Sequence, residues 1–93
     1  MEEFKIIFTK TAEKDLNALD VKTRYKILKA TKGLERTPFP RGNTIRKLKG
    51  SKVPLYRLRV GDFRVVYHID ARKIAILFIV DRKDLEKKLK AFL

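Results

Sequence analysis

One stretch constrains this chain more than any other: Tyr56-Arg57-Leu58-Arg59-Val60-Gly61-Asp62-Phe63-Arg64-Val65-Val66-Tyr67-His68-Ile69. Its period is two. Tyr56, Leu58 and Val60 fall on one side of an extended strand, and Arg57 and Arg59 on the other. Gly61-Asp62 is a tight-turn dipeptide, and the chain then returns with Phe63, Val65, Tyr67 and Ile69 on the apolar side. Arg64 and His68 fall on the polar side. A hairpin with one apolar face needs something to cover that face.

The rest of the sequence supplies the cover. Phe4 to Thr9 is short, β-branched and aromatic, and reads as a strand. Thr9 or Thr11 caps a helix with Glu13 and Asp15 in its first turn, and Ala12, Leu16 and Leu19 recur at helical spacing. Asp20 caps a second helix, whose stripe is Val21, Tyr25 and Leu28, widened by Ile27 and Leu34. Pro38 and Pro40 stop the helical region. Thr37 to Pro54 reads as a basic loop, with Gly42 and Gly50 as turn residues. After the hairpin, Asp70-Ala71-Arg72 turns the chain. Ile74 to Val80 is apolar on both faces, as a central strand requires. Asp81 caps a last helix, Arg82 to Leu93, with Leu85, Leu89 and Phe92 as its stripe.

The fold class is therefore α+β: an N-terminal strand, an antiparallel helix hairpin, a three-stranded antiparallel meander and a C-terminal helix, with the helices packed on one sheet face. The chain, 1–93, fits one domain. Tyr25, Tyr56, Tyr67 and Phe92 are expected in the core, and Asp62 and Asp81 in a turn and a cap.

Charge narrows the function. There are 24 Lys and Arg against 11 Asp and Glu, a formal net charge of +13. A small domain with that excess repels itself until an anion offsets it. Phosphate backbones, acidic membrane surfaces and acidic proteins are the usual anions. The absence of Cys excludes disulfides, thiolate metal sites and cysteine nucleophiles. With one His and no Gly-rich phosphate loop, metal-ligand spacing or Ser/His/Asp pattern, no metal or cofactor is expected. No apolar run is long enough to cross a membrane, and the N-terminus does not read as a signal peptide. The expected compartment is the cytoplasm.

If the apolar hairpin positions pack inward, Arg57, Arg59 and Arg64 share the outer sheet face, with Arg82 or Lys83 arriving at its edge. Guanidinium forks bind phosphate oxygens in pairs and stay charged at working pH. The same cluster also suits a charged open face that resists strand addition. His68 lies on the same side and is either an acid–base group or an exposed polar residue.

Lys47-Leu48-Lys49-Gly50, the run from Tyr56 to Tyr67 and the ending Val80-Asp81-Arg82-Lys83-Asp84-Leu85 resemble the RelE/ParE family of toxins from type II toxin–antitoxin pairs, most closely its RelE branch. The resemblance spans essentially the whole chain. It implies ribosome-dependent cleavage of mRNA in the decoding site, by attack of a 2′-hydroxyl on the next phosphate. Carried over by position, Arg57, Arg59, Arg64 and Arg82 would be catalytic. Arg57 and Arg59 would orient the backbone and assist deprotonation, Arg64 would stabilise the phosphorane, and Arg82 would favour leaving-group departure. Arg46, Lys47, Lys49, Lys52 and Lys83 would bind RNA. The implied partners are the ribosome, mRNA and an acidic RelB-like antitoxin, assembled as a toxin–antitoxin heterotetramer. The alternatives are a ParE-like inhibitor of DNA gyrase and an RNA-binding module without catalysis. Two departures stand out. The family's strand pair is often Lys, whereas an Arg pair suits charge stabilisation better than base catalysis. The last helix also lacks the Tyr that many RelE-type members stack on a base.

Overall fold

The computed structural model describes residues 3–93. Strand β1 (Lys5–Phe8) leads into helices α1 (Lys10–Asn17) and α2 (Val21–Lys32), and a 3-10 turn follows at Gly33–Glu35. Strands β2 (Ile45–Leu48), β3 (Leu55–Val60), β4 (Phe63–Asp70) and β5 (Lys73–Asp81) complete one sheet, and α3 (Leu85–Phe92) closes the chain. The sheet order is β1-β5-β4-β3-β2. β1 runs parallel to β5; every other pair is antiparallel.

The meander forms as its alternation requires. Leu58 stands opposite Val65 and Tyr56 opposite Tyr67, while Arg59 stands opposite Arg64. The turn is Gly61-Asp62, with Gly61 at φ 58°, where a Cβ would be strained. The turn between β4 and β5 places Ala71 at φ 55° without that exemption.

β2 corrects the reading of Thr37 to Pro54 as loop. Ile45 pairs with Leu58 and Leu48 with Leu55. Ile45 is buried and extends a row, Ile45–Leu58–Val65–Ile79, across four strands. Burying one such side chain contributes about 1.5–3 kcal/mol, enough to recruit a four-residue edge strand. The pattern Ile-Arg-Lys-Leu is too short and too charged to announce it.

Against that row pack Ala12 and Leu16 of α1, Ile27 of α2 and Leu34 beyond it. α1 and α2 thus cover one face, as the pattern predicts. α2 is rotated, however, from the expected stripe. The Arg24 guanidinium donates to the carbonyls of Leu16 and Leu19 at the end of α1, at 3.3 and 3.0 Å. This turns the Arg24, Ile27, Thr31 side inward. Val21, Tyr25 and Leu28 lie roughly 100° around the helix from it. They are 74%, 65% and 41% exposed, so Tyr25 is not a core residue.

Thr9 caps α1 by accepting from the Ala12 N–H at 3.1 Å, and its hydroxyl donates to the Leu77 carbonyl at 2.9 Å. Leu77 is an extra residue in β5: Tyr67 faces Ile76 while Val66 faces Phe78. Asp15 accepts from the Ile79 N–H at 2.9 Å, so α1 satisfies the strand where the bulge interrupts its ladder. The bulge inverts the phase of β5. Ile74, Ile76 and Ile79 face α1 and α2; Phe78 and Val80 face the other way. There α3 lies, with Phe92 5.7 Å from Phe78 between ring centroids. The helix begins after a 3-10 turn at Arg82–Asp84, whose N-cap is Asp81, and none of its residues is buried. Phe92, expected in the core, is 48% exposed. Tyr67 is fully buried, and its hydroxyl donates to the Pro38 carbonyl at 2.7 Å.

Candidate nucleic-acid interface

The sheet face away from α1 and α2 is organised by register. One row runs Arg46–Arg57–Val66–Phe78, and the next brings Arg59, Arg64 and Val80 together. Residues directly opposite in antiparallel strands hold their Cβ atoms about 4.5–5.5 Å apart. Arg46 with Arg57, and Arg59 with Arg64, are therefore like-charged cross-strand pairs, an arrangement that costs stability in the free protein.

Backbone carbonyls hold these cations in place. Arg64 donates through one terminal nitrogen to the carbonyls of Gly61 and Phe63, both at 3.0 Å. Arg57 donates to the Asn43 carbonyl at 2.7 Å, and Arg46 donates to the Asn43 side-chain oxygen. Asn43 thus organises two guanidiniums at once. The sequence pattern does not single it out; its only signal is the turn pair Gly42-Asn43. Arg82 donates its backbone N–H to the Asp62 carbonyl at 2.8 Å, which fastens the start of the last turn to the hairpin tip. Its guanidinium lies 3.8 Å from the Asp62 carboxylate. Both side chains are mostly exposed, so this ion pair is weak.

The electrostatics register the crowding. Partial burial first, and then the charges of Arg64, Arg46 and Arg59, press the Arg57 guanidinium below the usual arginine range. Burial, then Arg59 and Arg82, do the same to Arg64, with Asp62 and Asp81 opposing. Arginine's ordinary value is so high that both remain cations at neutral pH. The cluster can bind and polarise phosphate; it offers no neutral base.

Arg46, Arg57, Arg59, Arg64 and Arg82 therefore form one neighbourhood. The lysines differ. Lys47 stands opposite Tyr56 and so faces the helix side. Lys49 and Lys52 are exposed in the connection between β2 and β3, at the end of β3 remote from Arg59. Lys83 is exposed in the turn beside Arg82. His68 lies four residues along β4 from Arg64, about 13 Å at strand rise. It sits 3.1 Å from the Pro54 carbonyl, outside the cluster. Among the described residues no group of three or more His, Cys, Asp or Glu side chains could hold a metal ion. No helix among them is long and apolar enough to cross a membrane.

Residues 6–86 match the family model of the ParE toxin of type II toxin–antitoxin system, parDE. The fold matches the archaeal RelE–RelB complex from Pyrococcus horikoshii OT3 with a TM-score of 0.72 and 31% identity, covering 85% of this chain and 94% of that one. The RelBE2 toxin–antitoxin complex of Mycobacterium tuberculosis gives 0.73 at 25% identity, covering 86% and 99%. A free mutant of Escherichia coli RelE covers the whole of both chains at 0.71, and at 21% identity it speaks for the fold alone. No curated protein matches the sequence significantly.

Proposed function

This chain belongs to the RelE/ParE family of type II toxins, and from that premise we propose that it is a ribosome-dependent endoribonuclease that cleaves mRNA in the decoding site. The observation that carries this reading is the opposed pair Arg59 and Arg64, flanked by Arg57 and Arg82. Four guanidiniums around one patch of sheet suit a phosphodiester whose charge grows during attack. The 2′-hydroxyl attacks the adjacent phosphorus and the 5′-oxygen leaves, giving a cyclic phosphate. Arg59 and Arg64 hold the equatorial oxygens, Arg57 orients the backbone, and Arg82 stabilises the departing 5′-alkoxide, which takes its proton from water. The cluster has no group to accept the 2′-proton, which passes to water or to a phosphate oxygen. An open sheet face also lacks walls to hold RNA in line for attack, and the decoding site supplies that alignment. The working compartment is accordingly the cytoplasm.

The proposed inhibitor is an acidic antitoxin. Its support is the outer side of α2, where Val21, Tyr25 and Leu28 are exposed alongside a row of lysines, Lys22, Lys26 and Lys29. Apolar anchors at i, i+4 and i+7 flanked by lysines suit an acidic amphipathic helix. β2 is an edge strand of the sheet; Arg41 already meets the Ile45 N–H and carbonyl, and an added strand would pair beyond it, at Lys47. The relatives from P. horikoshii and M. tuberculosis are themselves toxin–antitoxin complexes.

A second reading, inhibition of DNA gyrase, is favoured by the match to the ParE model. A translation extract and a gyrase supercoiling assay, run with the same preparation, separate the two. Codon-phased cuts that need ribosomes and vanish with Arg64→Ala support the nuclease. Intact mRNA together with blocked supercoiling overturns it in favour of gyrase.

A further inference from the structure

Asn43 sits on the turn that leads into β2. Its backbone carbonyl accepts from Arg57 at 2.7 Å, and its side-chain oxygen accepts from Arg46. Those two arginines stand opposite each other across β2 and β3. One residue therefore aims both members of a like-charged pair. The turn is well fixed for that task. Arg41 and Ile45 exchange backbone hydrogen bonds at 3.0 and 3.3 Å, and Gly42 takes φ 49°. The Arg59 N–H donates to the Thr44 carbonyl at 2.8 Å, which fastens the turn to the end of β3. The choice of acceptor is informative. A carboxylate at position 43 would hold the guanidiniums as well and would also cancel their repulsion. An amide aims them and leaves the charge whole. Among the described residues no carboxylate acts on Arg57, whereas Asp62 and Asp81 both temper Arg64. Arg46 and Arg57 each commit one terminal nitrogen to the turn, so the rest of each fork is left for an anion.

We propose that Asn43 is a positioning residue: through Arg46 and Arg57 it builds a second phosphate site, which takes the 5′-phosphate of the nucleotide whose 2′-hydroxyl attacks. This rests on the nuclease reading above. The two arginine pairs are staggered. Arg46–Arg57 spans β2 and β3, and Arg59–Arg64 spans β3 and β4, two residues further along. One strand spacing across and two residues along amount to roughly 8 Å, which the long arginine stems can narrow to one nucleotide of extended backbone. Arg82 lies on the other side. Its guanidinium is at the hairpin tip, 3.8 Å from the Asp62 carboxylate, and its charge acts on Arg64. The cations thus run in order from Arg46 on β2 to Arg82 at the end of β5. That order sets the direction of the RNA. The leaving 5′-oxygen belongs to the nucleotide on the 3′ side, at Arg82, so the attacking nucleotide and its 5′-phosphate lie towards Arg57 and Arg46. The charge of that phosphate does not change during attack. Its contact stabilises substrate and transition state equally, and so acts on KM rather than on kcat.

The test uses the full chain and ribosomes programmed with a short mRNA, and measures KM for the programmed ribosome separately from kcat. A neutral methylphosphonate replaces one linkage, either the one 5′ of the attacking nucleotide or the one 3′ of the nucleotide that leaves. With the unaltered protein the 5′ replacement should raise KM about tenfold, the worth of one charge-assisted contact, and leave kcat unchanged. The 3′ replacement should raise it far less. Asn43→Ala should raise KM by a similar factor on the unmodified mRNA and cost nothing further on the 5′-neutral mRNA, because both changes remove one contact. Asn43→Asp keeps an acceptor for Arg46 and should not lower the melting temperature, yet it should raise KM as alanine does, because its charge competes with the phosphate. A 5′ replacement without effect, losses that add instead of merging, a fall in kcat, or an unchanged KM in Asn43→Asp would overturn the assignment and leave the nuclease standing. Failure to cut the unmodified mRNA would overturn the nuclease reading, and the second phosphate site with it.

Discussion

The outer sheet face and the outer side of α2 are both basic and exposed, yet they are built for different anions. On the sheet, arginines are placed by strand register, and Arg46, Arg57 and Arg64 are tied to backbone or side-chain oxygens of neighbouring turns. Burial, and then the neighbouring cations, hold the Arg57 and Arg64 guanidiniums below the usual arginine range. On α2, lysines on flexible stems flank an exposed apolar stripe. Rigid forks suit the fixed geometry of a phosphodiester, whereas mobile ammoniums beside Val21, Tyr25 and Leu28 suit a partner that brings its own apolar side. On the function proposed above, the surface that would act on RNA is separate from the surface that would attract an antitoxin. Because α2 packs on the opposite sheet face from the arginines, a helix docked there leaves the arginines open, and blocking them requires a second segment of the partner.

The largest effect should come from the arginine face. Arg64→Ala is expected to lower the cleavage rate in a translation extract by about 10²–10³-fold, the scale seen when one preorganised donor to a developing charge is removed. Affinity for RNA should fall far less. The slope of log affinity against log salt should become shallower by about 0.7, because one phosphate fewer is neutralised. Arg64→Lys should restore the slope but not the rate, because an ammonium lacks the fork. A variant that keeps its rate while its slope flattens would break the distinction between the two surfaces.

The next effect belongs to α2. Val21→Asp with Tyr25→Asp places two carboxylates among the lysines and removes two apolar anchors. Calorimetry should find affinity for an acidic antitoxin reduced by at least about 30-fold, the weight of an interface anchor pair. Both positions are exposed, so stability and mRNA cleavage should stay as they are. A parallel fall in cleavage and antitoxin binding would mean that the two surfaces are not separate.

The legibility of these surfaces in the sequence follows from how each is built. Arg57, Arg59 and Arg64 are readable because strict alternation around a Gly-Asp turn fixes which side each residue faces. Arg46 enters the cluster through β2, a strand whose pairing depends on burying Ile45 against Leu58 rather than on any local pattern. Lys47, its neighbour, faces away for the same reason. Tyr25 is misplaced by periodicity because Val21, Tyr25 and Leu28 form a valid helical stripe. What rotates α2 is a tertiary contact, Arg24 on the last carbonyls of α1, which no periodicity records. Asp15 likewise looks like an ordinary first-turn acid until the β5 bulge leaves the Ile79 N–H to be met.

Tyr67 lies buried on the helix side of the sheet, away from both surfaces' exposed side chains, with its hydroxyl on the Pro38 carbonyl. Burial raises its hydroxyl pKa above the ordinary tyrosine value, with Tyr56 adding to the effect. In the folded state the proton is held more tightly than in the unfolded chain. Above about pH 10 the unfolded state ionises first, so stability falls as pH rises from there. Tyr67→Phe should cost about 1–3 kcal/mol at neutral pH by leaving the Pro38 carbonyl unpaired. It should also flatten the alkaline decline, so urea midpoints of the two proteins should converge as pH rises past about 10. A constant gap between them would mean that the hydroxyl does not ionise on unfolding.

The smallest effect isolates the scaffold from both surfaces. Ala71 holds φ 55° in the β4–β5 turn, at the far end of β4 from Arg64. That conformation costs an L-residue about 1–2 kcal/mol. Glycine removes the cost but loses about 0.5–1 kcal/mol of chain entropy on folding. Ala71→Gly should therefore stabilise by roughly 0.5–1 kcal/mol and raise the melting temperature by a few degrees, about 4–8 °C per kcal/mol for a domain of this size. Cleavage rate and antitoxin affinity should both be unchanged. If either moved with it, the register that aligns Arg59 with Arg64 would be set by the strand's far turn as well as by Gly61-Asp62, and the arginine face would be less self-contained than its hydrogen bonds imply.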